Sequence, residues 1–365
     1  MHVITNYSAN AGAEAMLSRL LRASSEPAIV VSLVDISDFH RRAAPGTVRF
    51  VSLQARSMAA FVPAIARLSR LIAREQPRVI LCWMYHAMIA GVLAARLSGG
   101  RVPVFWNVRQ SLDDPRALSR NTRQALGLAR RLSRMPDGII YNSSRSLALH
   151  GEFGFRNANA VVIPNGFDRV EAQPACRAPQ VFGIAARLHR QKDHATFFRA
   201  AALVRQRHPA SRFLAVGAGL DADNAAVRSM LAETGLPESA ITLQGEVSDM
   251  DSFYRSIDVL VLSSRTEGFP NVVAEAMSYG RPVITTDVGE AAVVVGDTGL
   301  VVPPGDANAL ADGMCRMLDI DFPAFAGLSA AARRRVDEHY ALPQVARRYD
   351  LFLASAPRAA AGGIS

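Results

Sequence analysis

The sequence predicts an α/β protein of two doubly wound, Rossmann-like domains that face each other across a cleft. Three observations lead to this prediction. At 365 residues, the chain is longer than one hydrophobic core usually becomes. Short apolar runs alternate with helical patterns, as in parallel sheets that are covered by helices. This alternation stops at a polar, proline-containing stretch, residues 169–179, and then starts again.

The first domain is predicted to span residues 1–166, with strands at residues 1–5, 28–33, 48–53, 79–84, 102–107, 138–142 and 160–163. The second is predicted to span residues 167–340, with strands at residues 181–185, 213–216, 241–243, 259–262, 282–285 and 299–302. Helical patterns fill the intervals. Residues 341–355 are expected to form a helix that packs back on the first domain, and residues 356–365, rich in Ala and Gly, a loose tail.

The uncharged stretch at residues 79–95 is the strongest candidate for a membrane span. It is shorter than the roughly 20 residues that a helix needs to cross a bilayer, and His86 lies in its middle. A buried strand followed by an apolar helix is therefore predicted. Because the first strand begins without a signal-peptide pattern and the three cysteines lie far apart, a cytoplasmic protein is expected.

Positive charge is concentrated in the first half of the chain. Residues 1–165 contain 21 Arg and 9 acidic residues, whereas residues 166–365 contain 20 basic and 23 acidic residues. Much of the excess lies at residues 56–74 and 116–134, where Arg recurs among apolar residues at helical spacing. Such helix faces are either solvated or bind an anionic membrane surface, here the cytoplasmic face of the inner membrane, and both alternatives stand. No nucleic-acid-binding motif is visible, so no nucleic-acid partner is expected.

Lys192 is the single lysine among 41 basic residues. It closes the run Arg187-Leu-His-Arg-Gln-Lys192, directly after the strand predicted at residues 181–185. Open parallel sheets bind phosphates at the carboxyl ends of their strands. A guanidinium and an ammonium in that position can neutralise a diphosphate leaving group without a metal. The alternative is a solvated basic loop.

A second motif, Glu267-Gly-Phe-Pro-Asn-Val-Val-Ala-Glu275, follows the strand predicted at residues 259–262 and opens a helix. A helix N-terminus presents unpaired N–H groups and a partial positive charge, which suit hydroxyl and phosphate oxygens. Two carboxylates there can each bind a pair of vicinal hydroxyls, one on a sugar and one on a ribose. The alternative is an acidic first turn that only complements the helix dipole.

Glycines and paired aspartates mark four further turns. Gly12 opens the first helix, and Gly217-Ala-Gly219 lacks the third glycine of the dinucleotide fingerprint, which disfavours a nicotinamide dehydrogenase. Asp221-Ala-Asp223 and Asp249-Met-Asp251 imitate an Asp-x-Asp metal site, but both fall at predicted helix starts, where Asp is a normal residue. No metal and no cofactor are expected.

Together these motifs resemble retaining glycosyltransferase family 4, whose members have the GT-B fold. The resemblance covers residues 163 to about 318 well and rests on Arg187 with Lys192, Gly217-Ala-Gly219, Glu267 with Glu275, Ile163-Pro-Asn-Gly166 and Gly299-Leu-Val-Val-Pro-Pro-Gly305. The first domain matches more loosely. Residues 11–14, Ala-Gly-Ala-Glu, resemble the family's Gly-Gly-x-Glu loop with Ala in place of the first Gly. The segment Trp83-Met-Tyr-His86 resembles a motif of bacterial surface-polysaccharide transferases.

The resemblance implies a role for each matched residue. Arg187 and Lys192 would bind the diphosphate, and Glu267 the hydroxyls of the donor sugar. His86 would reach the donor sugar or the acceptor hydroxyl. Contacts with the base, ribose, sugar and phosphate would come from Gly12, Gly217, Val247, Phe269, Asn271 and Glu275.

The activity that the resemblance implies is transfer of a hexose-type sugar, with retention, from a UDP or GDP donor to a hydroxyl. The acceptor would be a glycan or a lipid-linked acceptor in bacterial surface polysaccharide or glycolipid synthesis. A sugar-nucleotide 2-epimerase and a non-catalytic sugar-nucleotide-binding protein are the alternatives. A glycosidase would also use two carboxylates, but it leaves the basic pair unexplained.

Overall fold

The computed structural model describes residues 1–9, 12–113, 115, 118–171, 175 and 177–355, which form two compact units. The first unit joins Met1–Gly166 to the segment that begins at Leu342. The second unit is Phe167–Ala341. The tail predicted at residues 356–365 lies outside the described residues.

The first unit has a parallel sheet with the strand order β3-β2-β1-β4-β5-β6-β7. Its strands are β1 (His2–Ile4), β2 (Ala28–Ser32), β3 (Val48–Ser52), β4 (Ile80–Trp83), β5 (Val104–Val108), β6 (Gly138–Tyr141) and β7 (Ala160–Val162). Its helices before the second unit are α1 (Gly12–Ala23), α2 (Asp38–Ala43), α3 (Met58–Glu75), α4 (Tyr85–Leu97), α5 (Arg120–Leu132) and α6 (Ser144–Phe153).

The second unit has a parallel sheet with the order β10-β9-β8-β11-β12-β13. Its strands are β8 (Val181–Ala185), β9 (Arg212–Val216), β10 (Ile241–Leu243), β11 (Val259–Leu262), β12 (Val283–Thr286) and β13 (Gly299–Val302). Its helices are α7 (His194–Arg207), α8 (Ala225–Thr234), α9 (Met250–Ser256), α10 (Asn271–Ser278), α11 (Ala291–Val295), α12 (Ala307–Asp319) and α13 (Phe322–His339). The last helix of the chain, α14 (Leu342–Ala354), belongs to the first unit.

Both sheets are covered on both faces, which explains why their strands read as continuous apolar runs. In β4, Cys82 packs into the core on one face and Trp83 into the core on the other. Helix α14 completes the second of these cores, where Leu342 and Val345 join Met16 of α1. The doubly wound α/β architecture predicted from the sequence is therefore confirmed.

Many helices begin at a side-chain cap that satisfies a free backbone N–H. The Ser57 side chain accepts from the N–H of Ala60 at the start of α3, and Ser143 accepts from Ser146 at the start of α6. Asp249 caps α9 by accepting from Ser252. The second Asp-x-Asp sequence thus has a structural use at a helix start.

The junction between β4 and α4 differs from the sequence prediction. The strand was predicted to reach residue 84, but it ends at Trp83, and α4 begins at Tyr85, so His86 lies in the first turn of the helix. Met84, the intervening residue, has φ 68° and ψ 158°. L residues rarely adopt this conformation, which turns the chain sharply from strand to helix. In the part of the chain that the structure describes, no helix is long and apolar enough to cross a membrane.

Candidate functional site

The candidate site of the second unit lies at the carboxyl ends of β8 and β11. Strand β8 pairs with β9 on one side and with β11 on the other, and successive strands run outward from this pair in opposite directions. The helices that follow β8 and β11, α7 and α10, therefore pack on opposite faces of the sheet. Such a switch point leaves a crevice in which doubly wound sheets bind ligands.

The loop after β8 carries Arg187 and Lys192 and is tied to the loop after β11. The Ser263 hydroxyl donates to the carbonyl of Lys192 at 2.8 Å, and the N–H of Arg265 donates to the carbonyl of Gln191 at 2.7 Å. Arg265 Nε also pairs with Asp193 Oδ2 at 2.9 Å. These bonds fix the backbone of Lys192, while the side chain of Arg187 is exposed.

Lys192, expected to bind the diphosphate, and Glu267, expected to bind the donor sugar, are in direct contact. Lys192 Nζ lies 2.5 Å from Glu267 Oε1, and the Ser264 hydroxyl donates to the same oxygen at 2.7 Å. The two side chains are 25% and 11% exposed, so the pair is partly shielded from water. A charge-assisted hydrogen bond in such surroundings is short and directional. The pair can present a cation and a carboxylate to one ligand.

Glu275 has a different partner. The Tyr254 hydroxyl donates to Glu275 Oε2 at 2.7 Å. The Tyr254 ring stacks on that of Tyr279 with centroids 5.1 Å apart, which fixes the donor. One Glu275 oxygen is thereby oriented from within the unit. The two carboxylates of the motif are held separately, as two distinct ligand contacts require.

The residues around the start of α10 are built into the core. Pro270 occupies the N-cap position and Asn271 is the first helical residue. Phe269 is buried against Phe167 and Tyr340, with ring centroids 6.1 Å and 5.8 Å away. The aromatic contacts fix the backbone that leads into the helix N-terminus. Ligand contact at Phe269 would thus come from its backbone groups.

Two glycines of the second unit lie against other loops. A Cβ on Gly217, which has φ 142°, would stand 2.1 Å from the carbonyl oxygen of Ala186. Its N–H donates to the carbonyl of Gly245 at 2.7 Å, two residues before Val247. Gly217 is therefore required for packing of the β8 and β9 loops, whatever it contacts in a ligand. A Cβ on Gly289, φ 54°, would stand 2.4 Å from the carbonyl oxygen of Glu267.

His86 and Gly12 belong to the first unit. His86 is half-buried near Phe61, with ring centroids 6.4 Å apart, and burial lowers the pKa of His86 below its ordinary value. Burial thus favours the neutral form of its imidazole. The preceding Tyr85 donates to or accepts from His150 Nε2 at 2.8 Å, which anchors the first turn of α4. Gly12 is the first residue of α1, while Ala11 lies outside the described residues.

Several residues that support the site carry no motif of their own. They are Ser263, Ser264, Tyr254, Arg265 and Gly289. Only the position of Ser263 to Arg265, directly after β11, could have indicated from the sequence that these residues lie near the site. Among the described residues, no group of three or more His, Cys, Asp or Glu side chains is arranged to hold a metal ion.

Two family models match the chain. One, described as Glycosyltransferase Family 4, matches residues 12–171, and the other, described as Glycosyl transferases group 1, matches residues 179–319. The lipopolysaccharide core biosynthesis mannosyltransferase LpcC of Rhizobium leguminosarum bv. viciae is 30% identical over 65% of this chain and 67% of its own. The lipopolysaccharide core biosynthesis mannosyltransferase LpsB of Rhizobium meliloti is 28% identical over 63% and 68%.

Solved structures share the fold over nearly the whole chain. Anabaena Alr3699/HepE in complex with UDP and glucose superposes with a TM-score of 0.81 at 21% identity, over 97% of this chain and 99% of that one. The lipopolysaccharide outer core galactosyltransferase WaaB superposes with a TM-score of 0.76 at 17% identity, over 97% and 99%. From its matched residues and from its fold, the chain belongs to glycosyltransferase family 4 and is a glycosyltransferase with the GT-B fold.

Proposed function

We propose that this enzyme transfers a hexose-type sugar, with retention, from a UDP or GDP donor to a hydroxyl of a glycan or lipid-linked acceptor. The observation that carries the proposal is the 2.5 Å contact between Lys192 Nζ and Glu267 Oε1 at the switch point of the second sheet. A sugar bound to a diphosphate requires a cation for the phosphate beside a carboxylate for the hydroxyls. This pair supplies both.

The relatives support a place in bacterial surface polysaccharide or glycolipid synthesis. LpcC and LpsB are named as mannosyltransferases of lipopolysaccharide core biosynthesis, and WaaB as an outer core galactosyltransferase. The HepE structures contain UDP, glucose and UDP-glucose. These names favour a hexose donor activated by a nucleoside diphosphate.

In the proposed reaction, the bond between the anomeric carbon and the β-phosphate oxygen breaks, and its electron pair goes to the phosphate. Arg187 and Lys192 stabilise the charge that develops there, which is the largest contribution that the protein can make. The acceptor oxygen bonds to the anomeric carbon on the face that the phosphate leaves. Its proton passes to the departing phosphate oxygen, so no separate base is required.

Three further side chains bind the donor or the acceptor in this proposal. When the phosphate pairs with Lys192, Glu267 Oε1 still accepts a hydrogen bond from the Ser264 hydroxyl. The lone pair that Lys192 occupied can then accept a hydrogen bond from a sugar hydroxyl. Glu275, oriented by Tyr254, holds the ribose. Neutral His86 contacts the sugar or the acceptor hydroxyl through a ring nitrogen. Two cationic side chains replace the charge of a metal, and we propose that the reaction needs none.

The first unit offers a surface suited to an anionic membrane. Met58 and Val62 of α3 are 63% and 71% exposed, and Arg67 and Arg70 are exposed further along the same helix. Apolar side chains followed by arginines suit the headgroup region of an anionic bilayer. In this proposal the enzyme works in the cytoplasm, on the inner face of the membrane, where a lipid-linked acceptor is available.

Release of nucleoside diphosphate from a panel of UDP- and GDP-hexoses, with and without candidate acceptors, tests the proposal. A transferase releases it much faster with the correct acceptor, and NMR of the product shows the retained anomeric configuration. Chelation by EDTA should leave the rate unchanged. Rapid release without acceptor would indicate an epimerase, and binding without release would indicate a sugar-nucleotide-binding protein.

A further inference from the structure

The first unit contains a buried guanidinium that bonds through only one of its three nitrogens. Arg109 directly follows β5, and its Nη1 donates to the Tyr349 hydroxyl at 3.1 Å. Its Nε and Nη2 are buried and have no hydrogen-bond partner in the described part of the chain. Other atoms of the same residue reach solvent.

Within the described ranges, no acidic side chain forms an ion pair with this guanidinium. The ion pairs of the described residues include none with Arg109, and the guanidinium lies over the Trp83 ring, 5.9 Å from its centroid. Burial lowers the pKa of Arg109, and the nearby positive charge of Arg19 acts in the same direction. Arginine nevertheless stays protonated in proteins. A desolvated cation without a counter-ion destabilises the fold that contains it.

The two unpartnered nitrogens form one geometric edge. The N–H groups of Nε and Nη2 point in parallel from the same side of the planar guanidinium and match two oxygens of a phosphate or a carboxylate. The remaining nitrogen, Nη1, is the one that Tyr349 fixes. The edge is therefore oriented, and no protein acceptor among the described residues bonds it.

Its position is that of a ligand site. Arg109 lies at the carboxyl end of β5, next to β4, whose end leads into His86. Open sheets bind ligands at this edge. Asn142 follows the neighbouring β6 and donates from Nδ2 to the carbonyl of Arg109 at 3.3 Å, while its buried Oδ1 has no partner within the described residues. A ligand that carries an oxyanion and a hydroxyl would satisfy both residues.

We propose that the Nε and Nη2 edge of Arg109 binds an oxyanion, a phosphate or a carboxylate, that the acceptor carries. The proposal rests on the proposed transfer to an acceptor, because it assigns the anion to that substrate. It implies that neutral acceptors have a higher KM. It also implies that the bound anion offsets the destabilisation caused by the buried charge of Arg109.

The test compares Arg109→Met with Arg101→Met, which replaces an exposed arginine of the same unit. Thermal unfolding without ligand should show a higher melting temperature for Arg109→Met than for the parent, and no rise for Arg101→Met. Inorganic phosphate and acetate are then titrated in the presence of saturating nucleoside diphosphate, which occupies Arg187 and Lys192 of the second unit. One of the two should raise the melting temperature of the parent and of Arg101→Met but leave Arg109→Met unchanged.

Kinetics with a phosphorylated acceptor sugar and with a uronic acid distinguish the two sources of the oxyanion. Arg109→Met should raise the acceptor KM by about tenfold or more, while binding of nucleoside diphosphate is unchanged. A lower melting temperature for Arg109→Met together with an undiminished anion shift would assign Arg109 to structure and overturn the proposal. If the parent shows the anion shift but transfers no sugar from any donor, the proposed function fails and the anion site stands.

Discussion

Gly289 lies so close to Glu267 that a Cβ at position 289 would stand 2.4 Å from the Glu267 carbonyl oxygen. The contact brings the loop after β12 against the motif loop after β11, and the N–H of Glu290 donates to the carbonyl of Gly268 at 3.1 Å beside it. With φ 54°, Gly289 also has a conformation that other residues adopt at a cost. The position of Glu267 therefore depends on a glycine 22 residues further along the chain.

We expect Gly289→Ala to lower turnover by about 10²-fold, because displacement of a site loop by 1 Å can cost that much. Gly235→Ala is the matched control, since Gly235 has φ 69° but nothing lies within 4 Å of its added Cβ. Both variants should lose about 1 kcal/mol or more of stability from the backbone conformation. Equal turnover in the two variants would show that the Gly289 contact does not position Glu267.

Substitution of Glu267 and substitution of Glu275 should affect different steps. Glu275→Ala is expected to weaken binding of the nucleoside diphosphate, because this carboxylate would hold the ribose, whereas Glu267→Ala should mainly lower turnover. Tyr254→Phe should reproduce part of the Glu275 defect, about fivefold in affinity for a lost hydrogen bond of about 1 kcal/mol. Tyr279→Phe removes a hydroxyl that bonds Asp251 instead and serves as control. Calorimetric titration with the nucleotide alone measures all four, and a Glu267→Ala protein that loses the nucleotide as badly as Glu275→Ala would contradict this division.

Lys192→Arg should lower turnover by about 10²-fold although it conserves charge. The compact ammonium now lies 2.5 Å from Glu267 Oε1, and a guanidinium there would form a planar, bidentate pair with the carboxylate and hold it away from the sugar. The melting temperature should not change, because the side chain is at the edge of the site and 25% exposed. Near-normal turnover of a stable Lys192→Arg protein would show that any cation suffices at this position.

The sequence predicted the central strands because these are short, apolar and buried on both faces. The runs Ile80–Trp83 and Val259–Leu262 contain no polar residue, and both form central strands. The motif residues were identifiable for a related reason. Arg187, Lys192 and Glu267 follow directly after such strands, at the sheet edge where ligands bind.

The contacts that orient Glu275 and Arg109 were not predictable, because they join positions that only the folded chain brings together. Tyr254 and Glu275 are 21 residues apart, and Arg109 and Tyr349 are 240 apart. The turn at Met84 was also missed, since a non-glycine residue with φ 68° contradicts its local preference. Propensity alone extends β4 through this residue, as in the strand predicted at residues 79–84.

Two buried histidines should make the enzyme sensitive to acid. Burial lowers the pKa of both His150 and His194 from 6.5 to about 4. Between these values the unfolded chain binds protons that the folded chain does not, so stability falls as the pH falls from about 6.5 to about 4. From pH 7 to pH 5, each should cost about 1 to 2 kcal/mol. Urea unfolding at the two pH values measures the loss, and the loss should be smaller in a folded His150→Gln variant; an equal loss would assign the acid sensitivity to other groups.

The exposed face of α3 should bring the enzyme to anionic vesicles at low salt, and about 0.5 M salt should release it, since charges are screened within less than 10 Å there. Arg67→Glu with Arg70→Glu is expected to weaken binding more than tenfold, because each basic residue near the surface contributes about 1 kcal/mol. Arg199→Glu with Arg228→Glu reverses two exposed arginines of the second unit and gives the same net charge. Co-sedimentation with vesicles should leave only the α3 variant in the supernatant. If both double variants lose binding equally, net charge drives the association and α3 is not the contact surface.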